Sequence, residues 1–376
     1  MKLFHISDLH LGKRVYEFSM LEEQRELLQA VLNKIEEEKP DALLITGDVY
    51  DKPVPSTEAV KLLDWFLTEL SGRRSPTYMI AGNHDSAQRL EFGKEIMGKN
   101  GIHIAGSING RLEQFTETDV FGNVTIWLMP FFKPAHVNGA LGENFSSYGE
   151  AAKALLERTE IDFTERNIIL VHQFVTWRGK AERSDSEMIS LGGVEEIDAS
   201  LFFEFDYAAL GHLHSPQRIG KDTVRYAGSP MPYSFSEIRQ KKGITVVELK
   251  EKGNVFMDFI PLETKRSYRE IKGPLQELID MAKAEGGSED YIRCILTNRE
   301  ALLDPIGQLR GVYPNLMTLE FAQGDSGYEQ EITVDMEEIK PDELFAFFFE
   351  KQNEKELDEI QHKLLQKIWK GMEEVE

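Results

Sequence analysis

The sequence has little cysteine, no long apolar run and fewer basic than acidic residues. Its one cysteine, Cys294, excludes an internal disulfide and a cysteine-based zinc cluster. The apolar runs fall well short of the roughly 18–20 residues that span a bilayer. The polar pair Ser7-Asp8 comes too early for the apolar core of a signal peptide. We therefore expect a protein of a reducing, cytoplasmic compartment with no membrane partner.

The charge balance excludes one class of nucleic-acid protein. The chain has 43 Lys and Arg against 65 Asp and Glu, a net charge of −22. Binding that coats nucleic acid by bulk charge needs clustered Lys and Arg, so that class is excluded. An enzyme that acts on nucleic acid is not excluded, because bound metal ions can invert the local field. The 376 residues are enough for about two to three globular domains.

Short apolar runs alternate with helical periodicity in the first part of the chain. Strands are predicted at residues 2–6, 42–46, 77–81, 167–171 and 207–210, with helices at 21–37 and 57–70. This order predicts a mainly parallel or mixed sheet covered by helices. Further β segments at 125–129, 223–227, 243–249 and 255–260 predict a second sheet. From about residue 265 the pattern changes to a small βαβαβ unit, followed by two helices at 342–351 and 354–369. We expect domains at 1–265, 266–335 and 340–376.

The residues that follow the five buried strands carry the strongest signal. The motifs in order are Asp8-Leu9-His10, Gly47-Asp48 with Asp51, Gly82-Asn83-His84-Asp85, His172-Gln173 and Gly211-His212-Leu213-His214. Each motif alone is weak, but the carboxyl edge of an α/β sheet is where such folds build sites. The ligand types, carboxylate, amide and imidazole without thiolate, suit manganese, iron or zinc better than calcium. The predicted metal ligands are Asp8, His10, Asp48, Asn83, His172, His212 and His214. The other histidines, His5, His103, His136 and His362, lack the pattern, and we expect them to be ordinary surface or core residues.

The order of these motifs resembles the calcineurin-like metallophosphoesterases. The segments 1–12, 46–52, 81–89 and 227–237 are similar to the SbcD-type nuclease branch of that family. The resemblance implies an α/β (α+β) fold, a four-layer αββα sandwich with a small βαβαβ capping domain and C-terminal helices. It also implies two divalent metals, with manganese expected and magnesium, iron or zinc as alternatives. One metal is assigned to Asp8, His10, Asp48 and His214, and the other to Asp48, Asn83, His172 and His212.

The resemblance gives His84 a catalytic role without making it a ligand. It follows Asn83 and can face the phosphate, where it would stabilise developing charge or protonate the leaving oxygen. Such a histidine usually has an orienting carboxylate. Asp51 is the first choice, because family relatives place an acid three residues beyond the bridging aspartate, and Asp85 is the alternative. The alternative for Asp51 is a purely structural role as a turn residue of its loop.

Basic and aromatic residues near the motifs are candidates for the substrate side. Lys13, Arg14 and Arg89 could hold a DNA backbone, since phosphate contacts position a duplex without reading its sequence. Ordinary solvated charge is the alternative for each of them. Tyr233 and Phe235 either stack on a base or pack beneath their own loop, and packing is favoured.

The two C-terminal helices are amphipathic and far from the motifs. Their apolar candidates for partner binding are Phe345, Phe348, Phe349, Leu364, Ile368 and Trp369. Composition alone favours folding back on the core, whereas the resemblance implies docking on an SbcC-type coiled-coil ATPase. It also implies a homodimer within a heterotetramer, formed by helices near 57–70 and 88–97, which could equally pack on the sheet.

The leading hypothesis is therefore a two-metal, manganese-dependent DNA nuclease. It would act as a 3′→5′ exonuclease on double-stranded ends and as an endonuclease on single strands or hairpins. With its ATPase partner it would serve DNA break processing, repair and recombination at the nucleoid. A phosphodiesterase or phosphatase for small substrates shares the same metal chemistry and is the alternative. A scaffold with structural metals predicts gaps in the ligand set, and the sequence has none.

Overall fold

The computed structural model describes residues 1–73, 75–185, 195–298 and 303–322, together with positions 349, 358, 361 and 365. The chain divides into two compact units, Met1–Ala322 and Gln323–Glu376. In the second unit Phe349 is helical and half-buried, and Leu365 is buried. Among the described helices, none combines the length and apolar character that a bilayer crossing requires.

The elements of the first unit alternate along the chain. The strands are β1 (Lys2–Ile6), β2 (Arg14–Val15), β3 (Phe18–Ser19), β4 (Ala42–Thr46), β5 (Thr77–Ile80), β6 (Ile102–Ala105), β7 (Glu113–Asp119), β8 (Gly122–Met129), β9 (Arg166–His172), β10 (Val175–Thr176), β11 (Ile197–Asp198), β12 (Tyr207–Gly211), β13 (Gln217–Ile219), β14 (Lys221–Tyr226), β15 (Gly243–Leu249), β16 (Val255–Pro261), β17 (Tyr268–Gly273), β18 (Tyr291–Leu296) and β19 (Leu316–Phe321). The helices are α1 (Leu21–Glu38), α2 (Thr57–Ser71), α3 (Ala87–Leu90), α4 (Lys94–Gly98), α5 (Pro134–Leu141), α6 (Tyr148–Thr159), α7 (Leu275–Glu285) and α8 (Pro305–Arg310), with 3₁₀ turns at Ala199–Phe202 and Phe235–Glu237.

Within the described residues, two six-stranded sheets dominate the unit. The first has the order β16-β15-β1-β4-β5-β6, and the second β13-β14-β12-β9-β8-β7. In the first sheet β1, β4, β5 and β6 run parallel. In the second, β14, β12, β9 and β8 run parallel. The antiparallel strands lie at the outer positions. The motif-bearing strands are therefore central and parallel, and within each sheet their carboxyl ends meet at one edge.

The side chains sort into layers by the two-residue period of each strand. In β4, Ala42 and Leu44 join the apolar core that the two sheets share, while Leu43 and Ile45 join the core beneath α1 and α2. On the far side of the second sheet another core lies beneath α5 and α6 and includes Val137 and Leu155. The layers are thus helix, sheet, sheet and helix, and the expected four-layer sandwich is confirmed.

The predicted βαβαβ unit after residue 265 is also confirmed. Strands β17, β18 and β19 form a parallel three-stranded sheet with α7 and α8 as the connections. Its core includes Ile271, Leu278 and Cys294, and Cys294 is buried. We call residues 266–322 the cap. Aromatic rings join it to the rest of the unit, since Tyr268 packs on Phe235 and Tyr291 packs on Phe18.

Candidate metal centre

The five motifs come together where the strands of the two sheets end. The loops after β1 and β4 run side by side, because the N–H groups of Asp8 and His10 donate to the carbonyls of Gly47 and Asp48 at 3.1 and 2.8 Å. In the second sheet His172 is paired in register with Gly211 of β12. Main-chain hydrogen bonds therefore fix the positions of the neighbouring ligand-bearing loops relative to each other.

Four of the predicted ligands have a left-handed backbone. The φ angles are 53° at Asp8, 43° at His10, 46° at Asp48 and 111° at His212. Each such non-glycine residue costs about 1–3 kcal/mol, and this strain persists only where surrounding contacts over-determine the conformation. Strain concentrated at four chemistry-bearing residues, where strands of both sheets end, points to a functional site.

Glycines let the loops approach each other closely. Gly47 has a φ of 91°, and a Cβ there would lie 2.2 Å from Nδ1 of His172. A Cβ on Gly82 would lie 2.1 Å from Oδ1 of Asp48. Space therefore requires glycine at both positions, and the left-handed conformation requires it also at Gly47.

The side chains form three overlapping groups that could hold a metal ion. They are Asp8, His10 and His214; His10, Asp48 and His84; and Asp48, His172 and His212, and within each group the donor atoms lie within 4.8 Å of one another. The first and third groups are subsets of the two ligand sets that the family resemblance implies. Asp48 belongs to two groups, as a bridging carboxylate would.

On one side of Asp48 two imidazoles face each other. Nε2 of His10 lies 3.1 Å from Nε2 of His214 and 3.7 Å from Oδ2 of Asp48. Nδ1 of His214 faces Oε1 of Glu237 at 3.4 Å, so its outer nitrogen carries the proton and Nε2 presents its lone pair inward. Oδ1 of Asp51 lies 3.6 Å from Nδ1 of His10, beyond hydrogen-bond distance. Two ring nitrogens that face each other beside a carboxylate would fit a divalent cation.

On the other side of Asp48, the amide oxygen of Asn83 contacts two histidines. Its Oδ1 lies 3.0 Å from Nε2 of His172 and 2.9 Å from Nδ1 of His212. Nδ1 of His172 donates to the carbonyl of Thr46 at 2.7 Å, which leaves Nε2 directed inward, 3.5 Å from Oδ2 of Asp48. This donor set of nitrogen and oxygen atoms without sulfur fits a second divalent cation.

Burial and the neighbouring charges shift the pKa values of these groups. Burial raises the pKa of Asp8 above its usual value. Burial acts in the same direction on Asp48, but the charge of His172 prevails and holds the pKa of Asp48 well below its usual value. Burial alone would lower the pKa of His172, and Asp48 raises it to about 9. Burial lowers the pKa of His10 to about 4 and that of His212 to about 3, so both are neutral ligands at pH 7.

The expectation that a carboxylate orients His84 is not met. Nδ1 of His84 donates to the main-chain carbonyl of Asp51 at 2.9 Å. The Asp51 carboxylate instead accepts from Lys13 at 2.8 Å and faces His10. The Asp85 carboxylate is taken by the N–H groups of Val49, Tyr50 and Gly82. Because Nδ1 of His84 is fixed by a backbone oxygen, its Nε2 is available to a substrate.

Sequence reasoning missed Gln24 and Glu237 beside the candidate ligands, and it named Tyr233 without its hydrogen bond. Gln24 of α1 donates through Nε2 to the carbonyl of His10 at 2.7 Å and accepts through Oε1 from Gly12. Tyr233 also donates to the carbonyl of Leu9, and its ring lies 5.5 Å from that of His10. Glu237 faces His214 as described above. Gln24 could have been found as a glutamine on the apolar face of α1, four residues before Leu28. Glu237 could have been found as the acid at the end of the segment 227–237.

The basic candidates lie at different depths. Lys13 is 14% exposed and its charge is paired with Asp51. Arg14 lines a cavity of about 370 Å³, together with Arg293 and Glu320 of the cap. Arg89 is exposed on α3. Tyr233 and Phe235 are both buried, which confirms packing for these two rings.

Of the apolar candidates for partner binding, only Phe349 is among the residues that the structure describes. Phe345, Phe348, Leu364, Ile368 and Trp369 lie outside the described residues, as does His362. Of the remaining histidines, His5 is a core residue bonded to Tyr207 and Thr46, as expected.

A cavity of about 210 Å³ opens beside the group formed by Asp48, His172 and His212. Asn83 and His212 form part of its wall. The other lining residues are Phe131, Lys133, Tyr148, Gln173, Phe174 and Glu195. The space is bounded by aromatic rings, one amine and one carboxylate, so a planar ring would fit next to the candidate ligands.

The comparisons with known proteins show which families this chain resembles. Residues 1–216 match the family described as calcineurin-like phosphoesterase, and residues 265–353 match the type 5 capsule protein repressor C-terminal domain. The chain is 31% identical over 366 residues to the SbcD subunit of nuclease SbcCD from Staphylococcus epidermidis, covering 96% of each chain. It is 32% identical over 323 residues to the same protein of Staphylococcus saprophyticus, covering 85% of this chain and 84% of that one. A dimetal phosphatase from Danio rerio, 13% identical, covers 70% of this chain and 97% of its own with a TM-score of 0.41.

Proposed function

Since the chain belongs to the calcineurin-like phosphoesterases and, among them, to the SbcD family of nuclease subunits, we propose that it is a two-metal DNA nuclease. Its activity is manganese-dependent. It acts as a 3′→5′ exonuclease on double-stranded ends and as an endonuclease on single strands and hairpins.

The observation that carries this proposal is the arrangement of the six other predicted ligands around the buried carboxylate of Asp48. Asp48 contributes to two of the three donor groups, and the inward nitrogens of His172 and His214 are each fixed by an oxygen behind the ring. Such support fixes the tautomer and the orientation of a metal-bound imidazole.

Two divalent cations at these positions would neutralise the phosphodiester oxygens and activate water for in-line displacement. Asp8, His10, Asp48 and His214 would hold one cation, and Asp48, Asn83, His172 and His212 the other. His84 acts on the substrate through Nε2, because Nδ1 is held by Asp51 and its main-chain N–H is bonded to Asp48 at 2.9 Å. A histidine so placed stabilises charge on the phosphate or protonates the leaving oxygen.

The surroundings of the metals suit a nucleotide chain. The cavity beside Asn83 and His212 has an aromatic lining on which a terminal base could stack. Arg14 and Arg89 are accessible for backbone phosphates, and Lys13 can reach one only by leaving Asp51. The small-substrate phosphodiesterase is the second candidate, since such a cavity would also accept a single nucleotide.

The proposed partners are DNA, an SbcC-type coiled-coil ATPase and a second copy of the chain, in the cytoplasm at the nucleoid. Domains at 1–265, 266–335 and 340–376 would divide catalysis, capping and partner binding. For the dimer, residues 88–97 form two short helices, α3 and α4, that leave Phe92 and Ile96 exposed, and α2 exposes Val60. Exposed apolar groups of this kind suit an interface between copies.

The test compares two substrates with the same metal. The full chain is incubated in manganese with duplex DNA labelled at the 3′ or the 5′ end and, separately, with cyclic nucleotides. We expect stepwise release of nucleotides from 3′ ends, with loss of activity in chelator and in Asp48→Asn. Hydrolysis of cyclic nucleotides with intact DNA would overturn the nuclease in favour of the small-substrate enzyme.

A further inference from the structure

A buried ion pair lies directly behind His214. Glu237 is 0% exposed and Lys242 is 6% exposed. Nζ of Lys242 lies 2.6 Å from Oε2 of Glu237 and also donates to the main-chain carbonyl of His214 at 2.8 Å. Both ends of the pair therefore touch the residue that carries the imidazole.

The two oxygens of Glu237 have different partners. Oε1 faces Nδ1 of His214 at 3.4 Å and accepts from the hydroxyl of Ser234 at 3.2 Å. Oε2 accepts from Lys242, from the hydroxyl of Ser229 at 3.2 Å and from the N–H of Tyr233 at 3.3 Å. The carboxylate thus faces His214 through one oxygen and binds the surrounding loop through both.

The same loop reaches the neighbouring ligand. The ring of Tyr233 stands nearly perpendicular to that of His10, with centroids 5.5 Å apart, and lies 6.0 Å from that of His214. Glu237 binds the main chain of Tyr233 and so fixes what lies against both imidazoles of the first group. The group that contains His172 and His212 has its own support, since the carbonyl of Thr46 holds His172.

Filling this space with an ion pair is costly. Removing a carboxylate and an ammonium from water costs several kcal/mol for each ion, and well-packed apolar residues of similar volume often serve stability as well or better. The pair is thus poorly explained by stability alone, whereas a carboxylate behind an imidazole strengthens a metal ligand and fixes its tautomer.

We propose that Glu237 is a positioning residue for the first metal. It holds His214 with Nε2 inward, and Lys242 holds the carboxylate in place. The inference deepens the proposed function, on which it rests for the presence of that metal. It assigns to the segment 229–242 a selective effect on one of the two cations.

The test measures metal affinity rather than cleavage. Mn²⁺ is titrated calorimetrically into the metal-free full chain and into Glu237→Met/Lys242→Met, which removes both charges and leaves neither buried alone. We expect two Mn²⁺ in the parent chain. In the variant, one affinity falls by about 10–100-fold, and the other changes by less than about 3-fold. A second variant, Glu237→Gln/Lys242→Met, keeps an oxygen that can accept from His214, and we expect it to recover most of the lost affinity.

A matched control is available at the opposite end of β12. Asp206 is a buried carboxylate that pairs with Lys252 at 3.0 Å and accepts from the N–H groups of Asn167 and Gly253. Asp206→Asn should lower stability and leave both Mn²⁺ affinities unchanged. Circular dichroism checks that each variant is folded.

The outcomes separate the two proposals. If the parent chain binds two Mn²⁺ and both folded Glu237 variants keep both affinities, the positioning role is wrong while the metal centre stands. If the two affinities fall equally, the pair is a general structural support and the selective role is wrong. If the parent chain binds no Mn²⁺, the proposed function fails as well.

Discussion

At the scale of single residues, the histidines of this site are defined by what lies behind them. Thr46 fixes His172 through its carbonyl, Glu237 faces His214 with its carboxylate, and the carbonyl of Asp51 orients His84. In each case the outer nitrogen is directed to an oxygen, so the inner nitrogen is set for a metal or a substrate. The chemistry depends on this outer layer as much as on the ligands.

The sequence pointed to the candidate ligands more readily than to the residues that contact them from behind. Asp8, His10 and Asp48 could be found because each follows an apolar strand at a sheet edge. Main-chain acceptors such as Thr46 have no residue-type signal, so no sequence pattern could identify them. The carboxylate expected behind His84 was replaced by a carbonyl, because Lys13 and His10 face the Asp51 side chain.

Replacing His84 should stop cleavage without releasing the metals. Because its Nδ1 is bonded to Asp51 and its Nε2 is available to a substrate, His84→Gln should lower kcat by about 10²–10⁴-fold. Single-turnover cleavage and Mn²⁺ titration of the same sample provide the check. The control is His136→Gln at an exposed position of α5. Unchanged cleavage in His84→Gln would remove His84 from the catalytic residues.

Adding a methyl group at Gly82 should disrupt the bridging carboxylate. A Cβ there meets Oδ1 of Asp48 at 2.1 Å and its main-chain nitrogen at 2.2 Å, both in a buried loop. Gly82→Ala should lower the free energy of unfolding by about 2–4 kcal/mol and weaken Mn²⁺ binding. Gly139→Ala in α5, where nothing lies within 4 Å, should be neutral or stabilising by up to about 1 kcal/mol. Equal urea denaturation of the two variants would contradict the close approach.

At the scale of elements, the central strands were predicted, whereas the edge strands β6, β7 and β13 were not. Strands β15 and β16 were predicted too, but they extend the first sheet and not a second one. Strands β1 and β4 match their predicted bounds, since every residue after Lys2 in them is buried. Strand β7 was missed because its residues alternate between half-buried and exposed, with few apolar side chains. Helices α5 and α6 were also missed.

The segment near 88–97 illustrates a local limit of the helical pattern. It was predicted as one candidate helix, whereas the structure has α3 and α4 separated at Gly93, whose φ is 76°. Helix α3 ends at Leu90, and the left-handed Gly93 is the N-cap of α4, so the apolar residues do not lie on one continuous face.

The cap is held by a buried ion pair that should contribute most of the polar energy of the contact. Arg266 bonds Glu23 of α1, whose side chain is 1% exposed, and also Glu22 at 3.0 Å. Arg266→Ala leaves the Glu23 charge buried and should lower the free energy of unfolding by about 3 kcal/mol. The control, Lys265→Ala, removes an exposed pair with Glu22 and should cost less than about 1 kcal/mol. Denaturation in guanidinium chloride measures the free energy of unfolding of both variants. Equal losses in the two variants would mean that the Glu23 carboxylate is hydrated.

At the scale of the whole molecule, the acidic net charge and the nuclease proposal are compatible. The charge of −22 belongs to the whole surface, whereas two divalent cations would invert the field at one sheet edge. DNA affinity should therefore depend on the bound metals and on a few arginines rather than on a basic patch. Net charge alone could not have predicted this.

Removing residues 341–376 should separate catalysis from partner binding. All seven predicted ligands lie before residue 215, and the unit Met1–Ala322 contains the whole described site. The shortened chain should keep Mn²⁺-dependent cleavage and lose co-purification with the coiled-coil ATPase. Retained co-purification would reject docking through the C-terminal helices, and lost cleavage would mean that these residues support the catalytic unit.

The central claim is that seven side chains meet around a pair of cations, and diffraction from manganese-soaked crystals tests it most directly. Anomalous difference maps at the manganese absorption edge should show two peaks roughly 3.5–4 Å apart, with Asp48 between them. Asp8, His10 and His214 should contact one peak, and Asn83, His172 and His212 the other. A single peak, or peaks away from Asp48, would contradict the account.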